Sequence, residues 1–303
     1  MKELLTLFLN NLLPIFLIAG AGALLGQFLK IDPRSLSQLI LYILSPCLIF
    51  RLLTQNQLSG NLFGRVILFS IVFISITAAI TWLAGKLLRI ERGNLSAMLL
   101  ATLFVNAGNY GLPLVLFAFG ENALSYASLF FVVNISLAYT VGTLIASMSS
   151  VNLWKALLNL VKLPLIYAVL LAFLITKTGW VIPLPLERAT KLLGDATIPC
   201  MLILLGLQLK TANISGKVLP ISLAASMRLI VGPLLAIVLL PLFGLNGPAN
   251  QALTLQAGMP TAVLTTMLAT EYNSEPSFAT AAVFITTLLS PLTLTPLLFL
   301  LGA

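Results

Sequence analysis

The feature that most constrains this chain is the length of its uncharged apolar runs. Val66–Leu83 and Leu229–Leu242 hold no charged residue at all. A helix that crosses a bilayer needs about 20 mostly apolar residues. Inside hydrocarbon every backbone polar group must be satisfied internally, which leaves helices or closed barrels. Barrel strands alternate apolar and polar residues over about 10 positions. These runs are longer and continuous, so they read as helices. Composition closes the remaining escape. Only 8% of the 303 residues are charged and 59% are hydrophobic, with a mean hydropathy of +1.09. A soluble domain carries about 25% charged residues, and one this poor in charge could not cover its surface. The expected class is an all-α polytopic membrane protein.

Polar and charged breaks predict ten transmembrane helices, over 5–29, 36–53, 63–88, 94–119, 123–147, 156–178, 188–209, 217–243, 248–270 and 276–301. The first run, from Leu4 to Leu29, exceeds a signal peptide's core of about 7–15 residues and is read as the first span. Connections are short, the longest being Ser147–Ala156, so no soluble domain is expected. With the N-terminus outside, nine basic residues fall on inner loops: Lys30, Arg34, Lys86, Arg89, Arg92, Lys155, Lys162, Lys210 and Lys217. Six fall outside: Lys2, Arg51, Arg65, Lys177, Arg188 and Lys191. The excess favours an extracytoplasmic N-terminus in the cell membrane, plasma or inner. The net charge of +8 is spread over loop ends without an aromatic-interleaved patch, so nucleic acid is not an expected partner. The two cysteines, Cys47 and Cys200, are far apart and there is no histidine, which argues against disulfide, zinc and Ser-His-Asp chemistry.

The two halves echo each other. Ser45-Pro46-Cys47 in the second span matches Ile198-Pro199-Cys200 in the seventh, 153 positions on. Asn106-Ala107-Gly108 in the fourth matches Gln256-Ala257-Gly258 in the ninth, 150 positions on. Five helices per copy force the second copy to enter the membrane from the opposite side. Residues 1–150 and 151–303 therefore read as two inverted five-helix repeats.

The fourth span carries Asn106-Ala107-Gly108-Asn109-Tyr110-Gly111-Leu112-Pro113, and the ninth carries Gln256, Gly258, Pro260 and Thr261. Proline removes a helical hydrogen bond and glycine tolerates the backbone angles that follow. Interruptions are predicted near Gly108–Pro113 and Gly258–Pro260. Freed backbone groups must face protein or a wet cavity. Half-helix N-termini offer unpaired N–H donors and partial positive charge, and the amides of Asn106, Asn109 and Gln256 add neutral donors and acceptors. That combination suits an anion such as a carboxylate. The plain alternative is that these residues mark kinks only.

These motifs, with the Pro46 and Pro199 helices, resemble the auxin efflux carrier family, which includes plant PIN carriers and bacterial carriers of malate and malonate. The resemblance runs from Leu12 to the C-terminus, and its most specific part is the Asn-rich break. It implies ten spans in inverted repeats, as in the bile acid sodium symporter fold, with the fourth and ninth helices crossing at broken segments. It also implies scaffold and transport subdomains drawn from both repeats, and an elevator-type motion. It suggests that the helix of Asn134, which also carries Ser136 and Tyr139, faces the crossover; helix–helix hydrogen bonding is the alternative. The long loop of many plant PIN carriers is missing, so neither auxin nor phosphorylation control through that loop is expected.

Arg228, in the eighth span, is either an electrostatic partner of the substrate or a structural group. Asp195 is expected to cap the Pro199 helix segment or to pair with a base. No acidic residue lies at the centre of the fourth or ninth span. No cofactor is therefore expected, sodium coupling finds little support, and uniport or potential-driven efflux is favoured. The expected function is a secondary carrier moving a small organic anion across the membrane, not an enzyme. A homodimer is left open. The rival class is a membrane sensor or scaffold that transports nothing.

Overall fold

The computed structural model describes residues 2–55, 60–147, 153–209 and 218–303. Helices α1 (Lys2–Phe28), α2 (Pro33–Gln55), α3 (Gly60–Leu87), α4 (Arg92–Leu103), α5 (Ala107–Ala146) and α6 (Leu153–Val161) follow one another along the first part of the chain. Then come α7 (Pro164–Thr178), α8 (Leu184–Leu209), α9 (Leu219–Phe243), α10 (Pro248–Ala257), α11 (Val263–Glu271) and α12 (Pro276–Leu300). Among the described residues the sole strand-like pairing is an isolated antiparallel bridge between Val105 and Thr261. Part of the Ser147–Ala156 connection, and Lys210 and Lys217 from the charge count, lie outside the described residues.

Seven of these helices, rather than ten, are long and apolar enough to cross a membrane: α1, α2, α3, α5, α8, α9 and α12. Local chemistry explains the difference. The stretch 94–119 is divided between α4 and the start of α5, because the chain leaves the helix over Phe104–Asn106. From there α5 runs on through 123–147, interrupted only by the non-helical Gly120 (φ 75°, ψ −172°). The stretch 156–178 is divided before Pro164, whose ring pushes Leu163 out of the helical region (φ −89°, ψ 108°) and leaves α7 with 15 residues. The stretch 248–270 is divided at Gly258–Ala262.

Prolines also shape the long helices from within. Among the described residues the helices widen at five places, Phe8–Leu12, Ile40–Leu44, Ala107–Gly111, Ala138–Gly142 and Met227–Val231. Four of the five end two positions before a proline, at Pro14, Pro46, Pro113 and Pro233, while Ala138–Gly142 is followed by Thr143 and Leu144. A proline lacks the N–H and its ring collides with the carbonyl four residues back. Opening the preceding turn relieves that collision without ending the helix. Asp32 fixes the start of α2 by accepting from the N–H groups of Arg34 and Ser35, with Pro33 behind it. Gly179, in the left-handed region (φ 69°), ends α7.

The closest packing falls into two groups. In one, α8 lies along α1 and α2, and α7 lies along α2. In the other, α10 packs on α5, α4 on α3 and α12, α11 on α12, and α9 on α10. The groups meet where α8 faces the first turns of α5, where α2 packs on α5 further along, and where the first half of α1 packs on α5 and α12. Large apolar side chains such as Leu17, Leu68, Val238 and Leu292 point outward. A soluble monomer rarely exposes so much apolar surface; lipid is its natural solvent.

The α1–α8 contact is backbone on backbone. A Cβ at Gly206 would lie 2.8 Å from the nitrogen of Ala23 and collide with the carbonyl of Ala19, and one at Gly22 would collide with the carbonyl of Ile203. Small residues let membrane helices approach this closely. Gly206→Ala is expected to cost about 1–3 kcal/mol, because backbone cannot rotate aside as a side chain can. Thermal unfolding in detergent, against Gly20→Ala where a Cβ meets nothing within 4 Å, checks this.

Candidate functional site

The site begins where the two interrupted stretches touch. After Leu103 the chain turns extended at Phe104 (φ −104°, ψ 109°). The Asn106 N–H donates to the carbonyl of Pro260 at 2.8 Å, and the Ala262 N–H donates to the carbonyl of Phe104 at 2.9 Å. Pro260 has no N–H to offer, so it enters the pair as an acceptor only. Each break thus satisfies backbone groups that the other leaves unpaired, as buried backbone requires. The first interruption lies at Phe104–Asn106, not at Gly108–Pro113. There the backbone is helical: Ala107–Gly111 form the wide turn, and Pro113 sits in the first turn of the regular helix that follows, where no N–H is missed.

Side chains take the remaining carbonyls. Thr261 Oγ1 donates to Ala101 at 2.8 Å, Asn134 Nδ2 to Leu103 at 3.4 Å, and Gln256 Nε2 to Ala107 at 3.2 Å. Arg228 donates through Nη1 to Thr102 and through Nη2 to Ala257. The Thr261 N–H finds Thr286 Oγ1 at 3.0 Å. Thr261→Val keeps the shape but leaves the Ala101 carbonyl buried without its hydroxyl partner. The expected loss is about 1–3 kcal/mol. Thr261→Ser, which keeps the hydroxyl, should lose less in the same thermal-unfolding measurement.

A cavity of about 270 Å³ opens beside the first break. Asn106, Gly108, Asn109 and Asn134 line it from α5 and the break, Ser45 from α2, Gln208 from α8 and Tyr139 from the far end of α5. Its outer part carries the exposed residues Arg34, Gln38, Tyr42 and Glu271. Asn109 Nδ2 donates to Gln208 Oε1 at 3.3 Å, linking the two helix groups across the cavity. Two polar atoms on its wall are buried and have no hydrogen-bond partner among the described residues: Asn106 Nδ2 and Ser45 Oγ. Asn106 is only 5% exposed. Beside it lies the first turn of α5, whose N–H groups a helix cannot pair internally.

Of the residues singled out in the sequence, the cavity collects Asn106, Asn109 and Asn134. Tyr110 points away from it, fully buried, with its hydroxyl on Ser290 Oγ at 3.1 Å and its ring edge-on to Phe16. Gly111 makes room for the Gln256 amide, which a Cβ there would strike. Gln256, Gly258, Pro260 and Thr261 shape the second break, Pro113 the helix after the first, and none of them lines the cavity. Arg228 is wholly buried behind the breaks. Asp195 is no cap: it lies inside α8 and pairs with Arg51 Nη1 at 3.2 Å, while Arg51 Nη2 reaches Glu121 at 3.5 Å. Both carboxylates are about half exposed, so these pairs are worth little to stability. Cys47 and Cys200 are free. Sequence reasoning missed Ser45 and Gln208 as cavity residues. Ser45 announced itself only as the neighbour of Pro46, and Gln208 as the polar end of an apolar run.

The family described as membrane transport protein matches residues 7–298, nearly the whole chain. The chain belongs to this family, the auxin efflux carrier family, and is a multi-pass membrane transporter. It is 25% identical over 290 residues to an uncharacterized transporter of Methanocaldococcus jannaschii, covering 91% of this chain and 94% of that one. It is 26% identical over 281 residues to an uncharacterized transporter of Methanothermobacter thermautotrophicus, covering 88% and 91%. A Rhizobium meliloti protein named "putative malonate transporter" is 26% identical over 300 residues, covering 95% and 94%.

Proposed function

We propose that this transporter is a carrier for a small organic anion, a mono- or dicarboxylate of the malonate kind. The observation that carries the proposal is the unpaired Asn106 Nδ2, nearly buried on the cavity wall beside the first turn of α5. A buried donor left without a partner is costly, and a bound acceptor removes that cost. The acceptor should be anionic, because the neighbouring helix N-terminus carries partial positive charge. A carboxylate accepts from both, and Ser45 and Asn109 supply further hydrogen bonds. Arg34 at the open end favours entry of anions, with Glu271 opposing it. The name of the Rhizobium meliloti relative agrees with this substrate class.

In this reading α4 with the start of α5, and α10 with α11, are the fourth and ninth of ten passes. Each is broken where it crosses the other. Residues 1–150 and 151–303 are the inverted repeats. The group of α1, α2, α7 and α8 is the scaffold, and the remaining packed helices move against it as an elevator, carrying the cavity from one face to the other. Release of the Asn109–Gln208 hydrogen bond would accompany that motion. The direction is efflux, driven by the substrate gradient and the membrane potential.

Ligand-dependent thermal stabilisation of the purified protein tests the substrate class. A ligand at 100 times its Kd stabilises by about 2.7 kcal/mol. Malonate or another small carboxylate should raise the unfolding temperature, while organic amines and neutral sugars of similar size should not. Stabilisation by amines or sugars and by no carboxylate would reject the anion assignment.

A further inference from the structure

The guanidinium of Arg228 lies in an unusual electrostatic setting. It is wholly buried, on the wide turn Met227–Val231 of α9. No carboxylate pairs with it: the ion pairs among the described residues are those of Arg51. Its hydrogen bonds go to two backbone carbonyls, Thr102 in the last turn of α4 and Ala257 at the last residue of α10. Both are helix C-termini, and each such end carries about half a negative elementary charge. Two of them together offset about one positive charge. The fold also leaves space for the group. A Cβ on Gly232 would come within 2.7 Å of the Ala257 carbonyl and against Arg228 itself.

Helix C-termini and unwound carbonyls inside a transporter form the kind of oxygen-rich cage that holds a coupling cation. We propose that Arg228 fills such a cage permanently, as a cation tethered to α9, so that the crossover is neutralised by its own side chain and the transport cycle requires no inorganic cation. The inference rests on the carrier reading above and adds what balances the charge at its crossover. It assigns Arg228 as a positioning residue. The guanidinium holds the C-termini of α4 and α10 together and thereby sets the break that presents Asn106, without touching the substrate. Its planar fork spans two acceptors at once, which an ammonium group does less well.

Cation dependence and chemical rescue test this, with unfolding temperature and liposome flux read side by side. Wild-type protein should unfold at the same temperature in sodium, potassium and N-methylglucamine chloride at equal ionic strength. Its malonate flux at fixed membrane potential should likewise be the same in all three. Arg228→Ala should unfold at a lower temperature and regain stability when millimolar guanidinium ion is added, with N-methylglucamine giving none of that gain. Arg228→Lys should fall between wild type and Arg228→Ala. A specific sodium requirement or sodium stabilisation in wild type would overturn the proposal. So would an Arg228→Ala protein that folds and ignores guanidinium. If Arg228→Ala does not fold, the wild-type cation comparison decides alone. Absence of carboxylate flux in every medium would count against the carrier reading instead, and the stability readouts would still judge the tethered cation.

Discussion

Replacing Asn106 by alanine is expected to weaken carboxylate binding by about 10- to 150-fold while leaving the fold in place. The backbone and the side chain of Asn106 play separate parts. Its backbone N–H holds the bridge to Pro260 and survives the substitution. Its side-chain Nδ2 has no partner among the described residues, so removing it breaks no internal bond. A hydrogen bond to a charged ligand is worth about 1.5–3 kcal/mol, and each 1.4 kcal/mol is about tenfold in affinity. Asn134 is the contrasting case. Its Nδ2 already serves the Leu103 carbonyl, so Asn134→Leu should lower stability more than affinity. Titration of carboxylate-induced thermal stabilisation, or competition against labelled malonate in liposomes, gives the comparison. Wild-type affinity in Asn106→Ala would remove the basis for the proposed anion site.

The second large effect is structural. Tyr110→Ala is expected to destabilise the protein by about 3–5 kcal/mol, the range for emptying a large buried aromatic site. Tyr110 is fully buried, packs edge-on against Phe16 of α1, and meets Ser290 of α12 through its hydroxyl. It therefore joins the first turn of α5 to two other helices. Tyr110→Phe keeps the ring and loses one hydrogen bond, so about 0.5–1.5 kcal/mol is expected. Its affinity for malonate should stay at the wild-type value, because the ring faces away from the cavity. A folded Tyr110→Phe protein that binds much more weakly would place the hydroxyl in the substrate site after all.

Much of this architecture is legible in the sequence because bilayer physics leaves few options. Uncharged runs name the helices, and amides beside glycine and proline announce that a run is interrupted. The pairing of Asn106–Gly108 with Gln256–Gly258 indicates that the two interruptions belong together. Their edges are less legible. Gly108 and Pro113 look like breakers, yet a wide turn absorbs Pro113 and the chain departs from the helix earlier, at Phe104, where nothing in the residue type signals it. Composition also cannot divide polar residues between cavity and wall. Gln256 and Asn109 are similar amides in similar sequence. One donates to the Ala107 carbonyl, and the other reaches across the cavity to Gln208. Arg228 meets Thr102 across 126 positions. Its carbonyl partners belong to backbone, which has no sequence signature, so its role emerges only from the fold. Ser45 carries no signal of its own in the sequence, being one hydroxyl beside Pro46 in an apolar run.

Carboxylate transport is tested by flux through purified protein in liposomes, with labelled malonate and a panel of other mono- and dicarboxylates offered under imposed gradients and potentials. Saturable, protein-dependent carboxylate flux is expected. That flux should follow the substrate gradient, respond to membrane potential as the movement of a net negative charge, and fall sharply in Asn106→Ala at sub-saturating substrate. Carboxylate movement no faster than in protein-free liposomes, across the whole panel and every gradient, would contradict the carrier assignment.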